Sequence, residues 1–349
     1  MPSDYQANIV DLRSDTVTRP TPEMFEAMQR AALGDDVLGD EPTVTELEQL
    51  AANMLGKEAA LFVPSGTMGN QIAVATHTQP GDAMIIEEEA HVLYYECGGP
   101  GVLAGVVTRT VPSHRGIMAM KDLEKAVMHR SLHTPGTSLL CIENTHNRAG
   151  GTIIPLDVLA DYKALADRNG FKVHLDGARV FNASVALGVD IKAIAQHFDS
   201  VNFCLSKGLR APVGSILTGS CDFIEHARMW RKRLGGGMRQ SGLLAACGIV
   251  SLTQYVDRLA EDHSRARRFA EAVDGTPGYS IDWDTVQTNM VMVDTVGPAQ
   301  PVIDALSALD VWAMPPSPNR IRCVFHADID DVKLDRAITA FKQCAVAAA

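Results

Sequence analysis

Short apolar runs of strand type recur through the first two thirds of the chain: AALFVP at 59–64, AMIIEE at 83–88, SLLCIEN at 138–144, KVHLDG at 172–177 and SVNFCLS at 200–206. They are nearly continuous in apolar residues rather than alternating, as strands buried on both faces are. Between them, apolar positions return at helical spacing in Val44–Met54 and Val158–Asp167, with Gly56 and Gly170 just beyond as stop signals. This rhythm predicts an α/β sheet with helices on both faces.

After about residue 250 the pattern changes. SLTQYVDRLAEDHSRARRFAEAV reads as one long helical stretch, followed by DGTPG, a strand NMVMVDT, a helix near PVIDALSAL and a strand RIRCVFH. The expected organisation is an N-terminal arm (1–20), a large domain (21–255) and a smaller C-terminal α+β domain (256–349), which suits 349 residues. No repeat or low-complexity segment interrupts it, and the terminal AVAAA is expected to fray.

Charge and cysteine usage narrow the function classes. With 31 Lys and Arg against 42 Asp and Glu the formal charge is −11, which argues against a general electrostatic grip on nucleic acid or on an anionic membrane. The short basic run RMWRKR at 228–233 reads as a solvated helix face. The seven cysteines form no CxxC pair, as in a reduced cytosolic protein, so neither a disulfide scaffold nor a metal site is expected. MPSDYQANIVDLRSDT lacks the basic flank and apolar block of a signal peptide, and no apolar stretch is long enough to span a bilayer. The expectation is a soluble cytoplasmic enzyme.

In open α/β sheets ligands collect at the carboxyl ends of the strands, which singles out four stretches. In PSGTMGN (64–70), Ser65, Gly66 and Thr67 open a helix and could cradle a phosphate, or simply cap the helix. In VHLDGAR, Asp176 ends an apolar strand with Arg179 three residues on; it is either a helix cap or a functional carboxylate. Ser206 and Lys207 follow VNFCL directly. An ammonium at the end of a buried strand is destabilised by desolvation, which frees an amine for Schiff-base chemistry, unless it snorkels or pairs. In EEEAHVLYYECGG, His91 precedes Tyr94, Tyr95 and Glu96, and could stack on a flat ligand, move protons, or be an ordinary loop histidine. A phosphate cradle, a strand-end Asp and a strand-end Lys together match the three handles of pyridoxal phosphate: its phosphate, ring nitrogen and aldehyde.

These stretches, together with DLRSDTVTRPTPEM, GDDVLGDEPTVTELE, ENTHN, SKGL-APVG, GGGMRQSG and RCVFH, run in an order that resembles the low-specificity L-threonine aldolases. The resemblance implies fold type I of the pyridoxal-phosphate enzymes, with a mixed, mostly parallel sheet between helices in the large domain, and cleavage of β-hydroxy-α-amino acids to glycine and an aldehyde. It implies that Lys207 forms the Schiff base with the cofactor, that Asp176 partners the ring nitrogen and that His91 stacks over the ring. Ser65, Gly66, Thr67, Ser206 and Arg239 fall in the cofactor set, with Arg179 beside the ring hydroxyl. Ser14 and Arg322 fall to the substrate carboxylate, and Tyr95 joins the substrate-binding set. His133 and Lys232 match positions near the substrate hydroxyl or the cofactor entrance. A homodimer or homotetramer with shared active sites is implied as well.

Two residues depart from the family pattern. Leu38 stands where a tyrosine often borders the site, and Arg210 replaces the usual small residue in SKG-L-x-APVG. Rival readings are a β-eliminating lyase or a phenylserine-type aldolase of the same fold, and a catalytically silent binding module.

Overall fold

The computed structural model describes residues 8–345. The first seven residues of the expected arm and signal-free start, and Val346–Ala349 of the tail expected to fray, lie outside the described residues.

Seven strands form the main sheet: β1 (Ala59–Val63), β2 (Ala83–Glu87), β3 (Val107–Val111), β4 (Thr137–Glu143), β5 (Lys172–Asp176), β6 (Ser200–Cys204) and β7 (Ser215–Gly219). Their order is β1-β7-β6-β5-β4-β2-β3, with β7 antiparallel to both neighbours and the rest parallel. Four strands, β2, β6, β7 and most of β4, are buried along their length, because helices cover both faces. The predicted helices are Pro42–Leu55 and Leu156–Asn169, and Gly56 and Gly170 end them in the left-handed conformation that glycine adopts without strain. The register aligns Glu143 with Asp176 and Asp176 with Asn202, so three polar residues stand side by side, the first two at the carboxyl ends of β4 and β5 and the third in the middle of β6.

A second sheet, β8 (Tyr279–Ser280), β9 (Met290–Thr295), β10 (Met314–Ser317) and β11 (Arg320–Val324), is antiparallel in the order β8-β9-β11-β10. It packs with its helices around Phe269, Phe325 and Phe341. Val10 and Leu12 belong to this second core, since Val10–Asp11 pairs in parallel with Val311–Trp312. The N-terminal segment then runs back to the large sheet, where the Thr18 hydroxyl donates to the carbonyl of Lys207 at 2.8 Å.

The stretch expected as one long helix is two, Gly242–Gln254 and Leu259–Val273. The first buries Ala245, Cys247 and Val250 in the large core, whereas the second buries Ala266, Phe269 and Val273 in the small one. A straight helix cannot turn one stripe toward both, so the chain bends between them. Among the described residues no helix is long and apolar enough to cross a membrane.

Candidate active site

Two adjoining cavities open where the β5 and β6 ends meet the N-terminal segment. The first, of about 320 Å³, is lined by Ser65, Gly66, Thr67, Asp176, Ser206 and Lys207, among others. The second, of about 430 Å³, is lined by Ser14, Tyr95, Asn147, Arg148, Arg179 and Arg322. Thr16, His91 and Lys207 border both.

The first cavity has an anion cradle at one end. Ser65 caps the helix Gly66–His77, and its hydroxyl accepts from the Met68 N–H at 3.2 Å. Gly66 and Thr67 then offer first-turn N–H groups and the positive end of the helix dipole to the cavity. Glycine is needed here: a Cβ on Gly66 would stand 2.8 Å from Cys204 Sγ, and one on Gly69 would stand 2.2 Å from Asn202 Oδ1.

At the other end sits buried Asp176, held from below. Its Oδ2 accepts from Asn70 Nδ2 at 2.9 Å, and the same amide donates to Glu96 Oε1 at 2.9 Å. With its nitrogen facing two carboxylates, Asn70 must turn Oδ1 to the other side. There it accepts from Asn202 Nδ2 at 2.9 Å and meets His174 Nε2 at 3.2 Å, which must therefore carry the proton. Burial pushes the His174 pKa to about 3 and that of His77 to about 4, so both rings are neutral in the chain His77–Ser200–His174–Asn70.

His91 begins a short helix over this floor. Its Nδ1 lies 3.0 Å from Glu96 Oε1, and its backbone N–H donates to Glu143. Burial works against a charged ring, but the hydrogen bond to Glu96 and the charges of Asp176 and Glu143 outweigh it and raise the His91 pKa. Burial, with Asp176 adding to it, raises that of Glu96. His91, Glu96 and Asp176 form the one cluster among the described residues with ligand-like spacing for a metal ion, and Asn70 and Gln71 already donate to its carboxylates.

The second cavity is cationic. Arg322 on β11 donates to Asn147 Oδ1 at 2.9 Å and to the Arg13 carbonyl at 3.0 Å, while its buried Nε has no partner among the described residues. Arg179 grips Asp15 through Nε and Nη2 in a two-pronged pair at 2.7 and 2.6 Å, both side chains buried. Burial alone would raise the Asp15 pKa, but Arg179 overrides it and holds it at about 2. The outer wall is Tyr94, Tyr95 and Arg148; Arg148 lies 4.1 Å over the Tyr94 ring, donates to the Tyr95 hydroxyl at 3.0 Å and pairs with Glu89.

The structure thus gathers Ser14, Ser65, Gly66, Thr67, His91, Tyr95, Asp176, Arg179, Ser206, Lys207 and Arg322 around the two cavities. It does not bring in His133, Lys232 or Arg239. His133 is exposed on the loop before β4, its N–H bonded to Ser131 Oγ. Lys232 is exposed on the helix Cys221–Arg233, and Arg239 pairs with Asp35 with 62% of its side chain open to solvent. Leu38, 75% exposed, borders neither cavity. Sequence reasoning missed Asp15, Thr16, Asn70, Asn147 and Arg148. Of these, Asn70 was findable, because it lies one helical turn beyond Gly66 on the same face.

The cradle, the strand-end acid and the lysine fit a phosphorylated pyridine aldehyde. The fold and this donor set are those of a pyridoxal-phosphate-dependent enzyme of fold type I. Solved structures agree on the fold: threonine aldolase from Leishmania major superposes with a TM-score of 0.81 at 20% identity, covering 96% of this chain and 99% of that one. A serine palmitoyltransferase from Sphingomonas wittichii superposes with a TM-score of 0.79 at 19% identity, covering 97% and 88%. Residues 11–296 match the beta-eliminating lyase family. Low-specificity L-threonine aldolase 1 of Arabidopsis thaliana is 42% identical over 96% of both chains, and the low specificity L-threonine aldolase of Escherichia coli K12 is 45% identical over 75% of this chain and 78% of its own. The chain belongs to the beta-eliminating lyase family and, within it, to the low-specificity L-threonine aldolases.

Proposed function

We propose that this protein cleaves the Cα–Cβ bond of L-threonine, L-allo-threonine and related β-hydroxy-α-amino acids, releasing glycine and an aldehyde, with pyridoxal 5′-phosphate as cofactor. The observation that carries the reading is the meeting of an anion-cradling cavity and a cationic cavity at Lys207 and His91.

In this reading Ser65, Gly66, Thr67 and Ser206 would hold the phosphate, Asp176 would meet the ring nitrogen, His91 would lie against the ring, and Lys207 would supply the amine for the aldehyde. When bound, the cofactor takes up the electron pair freed at Cα. Asp176 would face the ring nitrogen for that purpose, and Asn70, donating to Oδ2 at 2.9 Å, fixes the direction in which the carboxylate points. Arg322 offers its unpartnered Nε to the substrate carboxylate, with Ser14 beside it. That anchoring sets which bond at Cα is presented for cleavage. Arg179, engaged with Asp15, forms a fixed positive wall next to Arg322. The β-hydroxyl proton leaves toward His91 or a water on it, since His133 borders neither cavity within one chain.

The arm (1–20), large domain (21–255) and small domain (256–349) serve this division of labour, with Lys207 on one side of the site and Arg322 on the other. Lys232, Arg239 and Leu38, matched to the site by resemblance yet exposed outside both cavities, support a homodimer or homotetramer in which they complete a partner's site. The seven free cysteines agree with a cytoplasmic setting. Supplying L-threonine, L-allo-threonine and phenylserine separately tests the reaction: glycine and aldehyde in equal amounts support it, and a 2-oxo acid with ammonia would assign β-elimination instead.

A further inference from the structure

Arg210 is anomalous twice over. It stands where the family pattern has a small residue, and its φ is +70°, a left-handed conformation that a non-glycine residue adopts only with strain. That backbone favours glycine, since any residue with a Cβ meets the cost whatever the length of its side chain. An arginine in its place must bring something that offsets the strain.

Its side chain shows what. Nη2 donates to Asp328 Oδ1 at 2.7 Å, Nε donates to the Arg19 carbonyl at 3.1 Å, and the guanidinium lies 5.8 Å from the Tyr255 ring centroid. The other oxygen of Asp328 accepts the Arg19 N–H at 3.1 Å. At its own backbone, Arg210 N–H donates to the Lys207 carbonyl at 2.9 Å, the same oxygen that takes the Thr18 hydroxyl at 2.8 Å. One residue therefore joins three separate pieces: the lysine turn, the N-terminal segment at Thr18–Arg19, and the small domain four residues beyond the end of β11, the strand that carries Arg322.

We infer that Arg210 is a positioning residue that clamps the N-terminal segment and the small domain to the Lys207 turn, and so sets the amino-acid site between Lys207 and Arg322. The segment it clamps supplies Ser14 and Thr16 to the substrate cavity, Asp15 to Arg179, and the Arg13 carbonyl to Arg322. Loosening the Arg19 end lets that wall shift. The phosphate cradle at Ser65–Thr67 is on a different element, the start of the helix Gly66–His77, and reaches the clamp only through the cavity wall at Thr16 and Ser206–Lys207. This rests on the proposed reaction for its meaning, but its geometry can be tested without it.

The test compares the holoenzyme with Arg210→Ala, Arg210→Gly and Asp328→Asn. Hydrogen exchange of the peptide covering residues 14–20 should quicken by about tenfold in all three, as expected when a local clamp is lost; unchanged exchange overturns the clamp whatever the enzyme's substrate. Glycine affinity, read from the change it makes in the cofactor's visible absorbance, and KM for L-threonine should weaken by about three- to tenfold, the scale of one or two charge-assisted contacts. kcat and cofactor retention should move less. A merely structural role would lower thermal stability and leave affinity alone, and that result overturns the coupling. Arg210→Gly separates clamp from strain: it relieves the left-handed backbone, so an affinity equal to or better than the parent's would show that the side chain contributes nothing to the site. If the parent itself gives no response to glycine, the proposed reaction fails while the exchange result still judges the clamp.

Discussion

Asp15→Asn removes the anion that faces buried Arg179 and leaves the shape nearly unchanged. Holding the Asp15 pKa at about 2 instead of 3.8, at about 1.4 kcal/mol per pKa unit, corresponds to about 2.5 kcal/mol in favour of the folded, ionised pair. The variant also strands a guanidinium that is only 6% exposed, and breaking a buried pair from one side costs about 3–5 kcal/mol. At roughly 2 °C per kcal/mol for a chain of this size, thermal unfolding of the holoenzyme near pH 7.5 should fall by roughly 6–10 °C. The sign with pH follows from the depressed pKa: the stabilisation is fully present above the ordinary value of 3.8 and is lost as pH falls toward 2. The gap between parent and variant should therefore be flat from neutrality down to about pH 4 and shrink only below it. Glycine affinity should drop in parallel, because Asp15 ties the segment bearing Ser14 and Thr16 to the site. A midpoint within about a degree of the parent, with unchanged glycine affinity, would refute the reasoning.

Other outcomes follow from the same geometry. Glu96→Gln should bring the raised His91 pKa back toward its ordinary value, seen as a movement of the midpoint of the His91 ring titration to lower pH by NMR; since a raised histidine pKa stabilises the fold at low pH and the benefit fades as pH rises through it, the variant should lose stability mainly on the acid side. Gly69→Ala should weaken cofactor binding and destabilise the protein by about 1–3 kcal/mol, because its Cβ would displace Asn202, which donates to Asn70 and to the Gly66 carbonyl; equilibrium dialysis of cofactor and thermal melting read both. Mixing inactive Lys207→Ala with an inactive Arg239→Ala variant should restore part of the turnover if Arg239 completes a partner's site, whereas no recovery would confine the site to one chain.

Much of this site was written in the order of residues at strand ends. Asp176, Lys207 and the Ser65–Thr67 turn follow apolar runs that had to be buried strands, and the carboxyl ends of a parallel sheet converge, so their meeting was legible before any coordinates. Strand β3, VTRTV, escaped notice because an edge strand with polar residues lacks a continuous apolar run, and the bend between Gln254 and Leu259 escaped because both halves keep helical spacing while serving different cores. The roles of Asp15 and Asn70 were hidden for another reason, although the place of Asn70 on the Gly66 face was not. Their importance lies in a partner more than a hundred residues away, and only the fold decides that Asp15 faces Arg179 and that one amide bridges Asp176 and Glu96. Arg210 shows the converse: its departure from the family pattern stood out in the sequence, but its meaning needed Asp328 and the Arg19 backbone beside it.

Borohydride reduction of the cofactor-loaded protein, followed by proteolysis and mass spectrometry, tests the account most directly. The reading predicts a pyridoxyl-phosphate adduct on the peptide containing Lys207, absent in Lys207→Ala together with the visible absorbance and nearly all turnover. An adduct on another lysine, or a Lys207→Ala variant that keeps both absorbance and turnover, would contradict it.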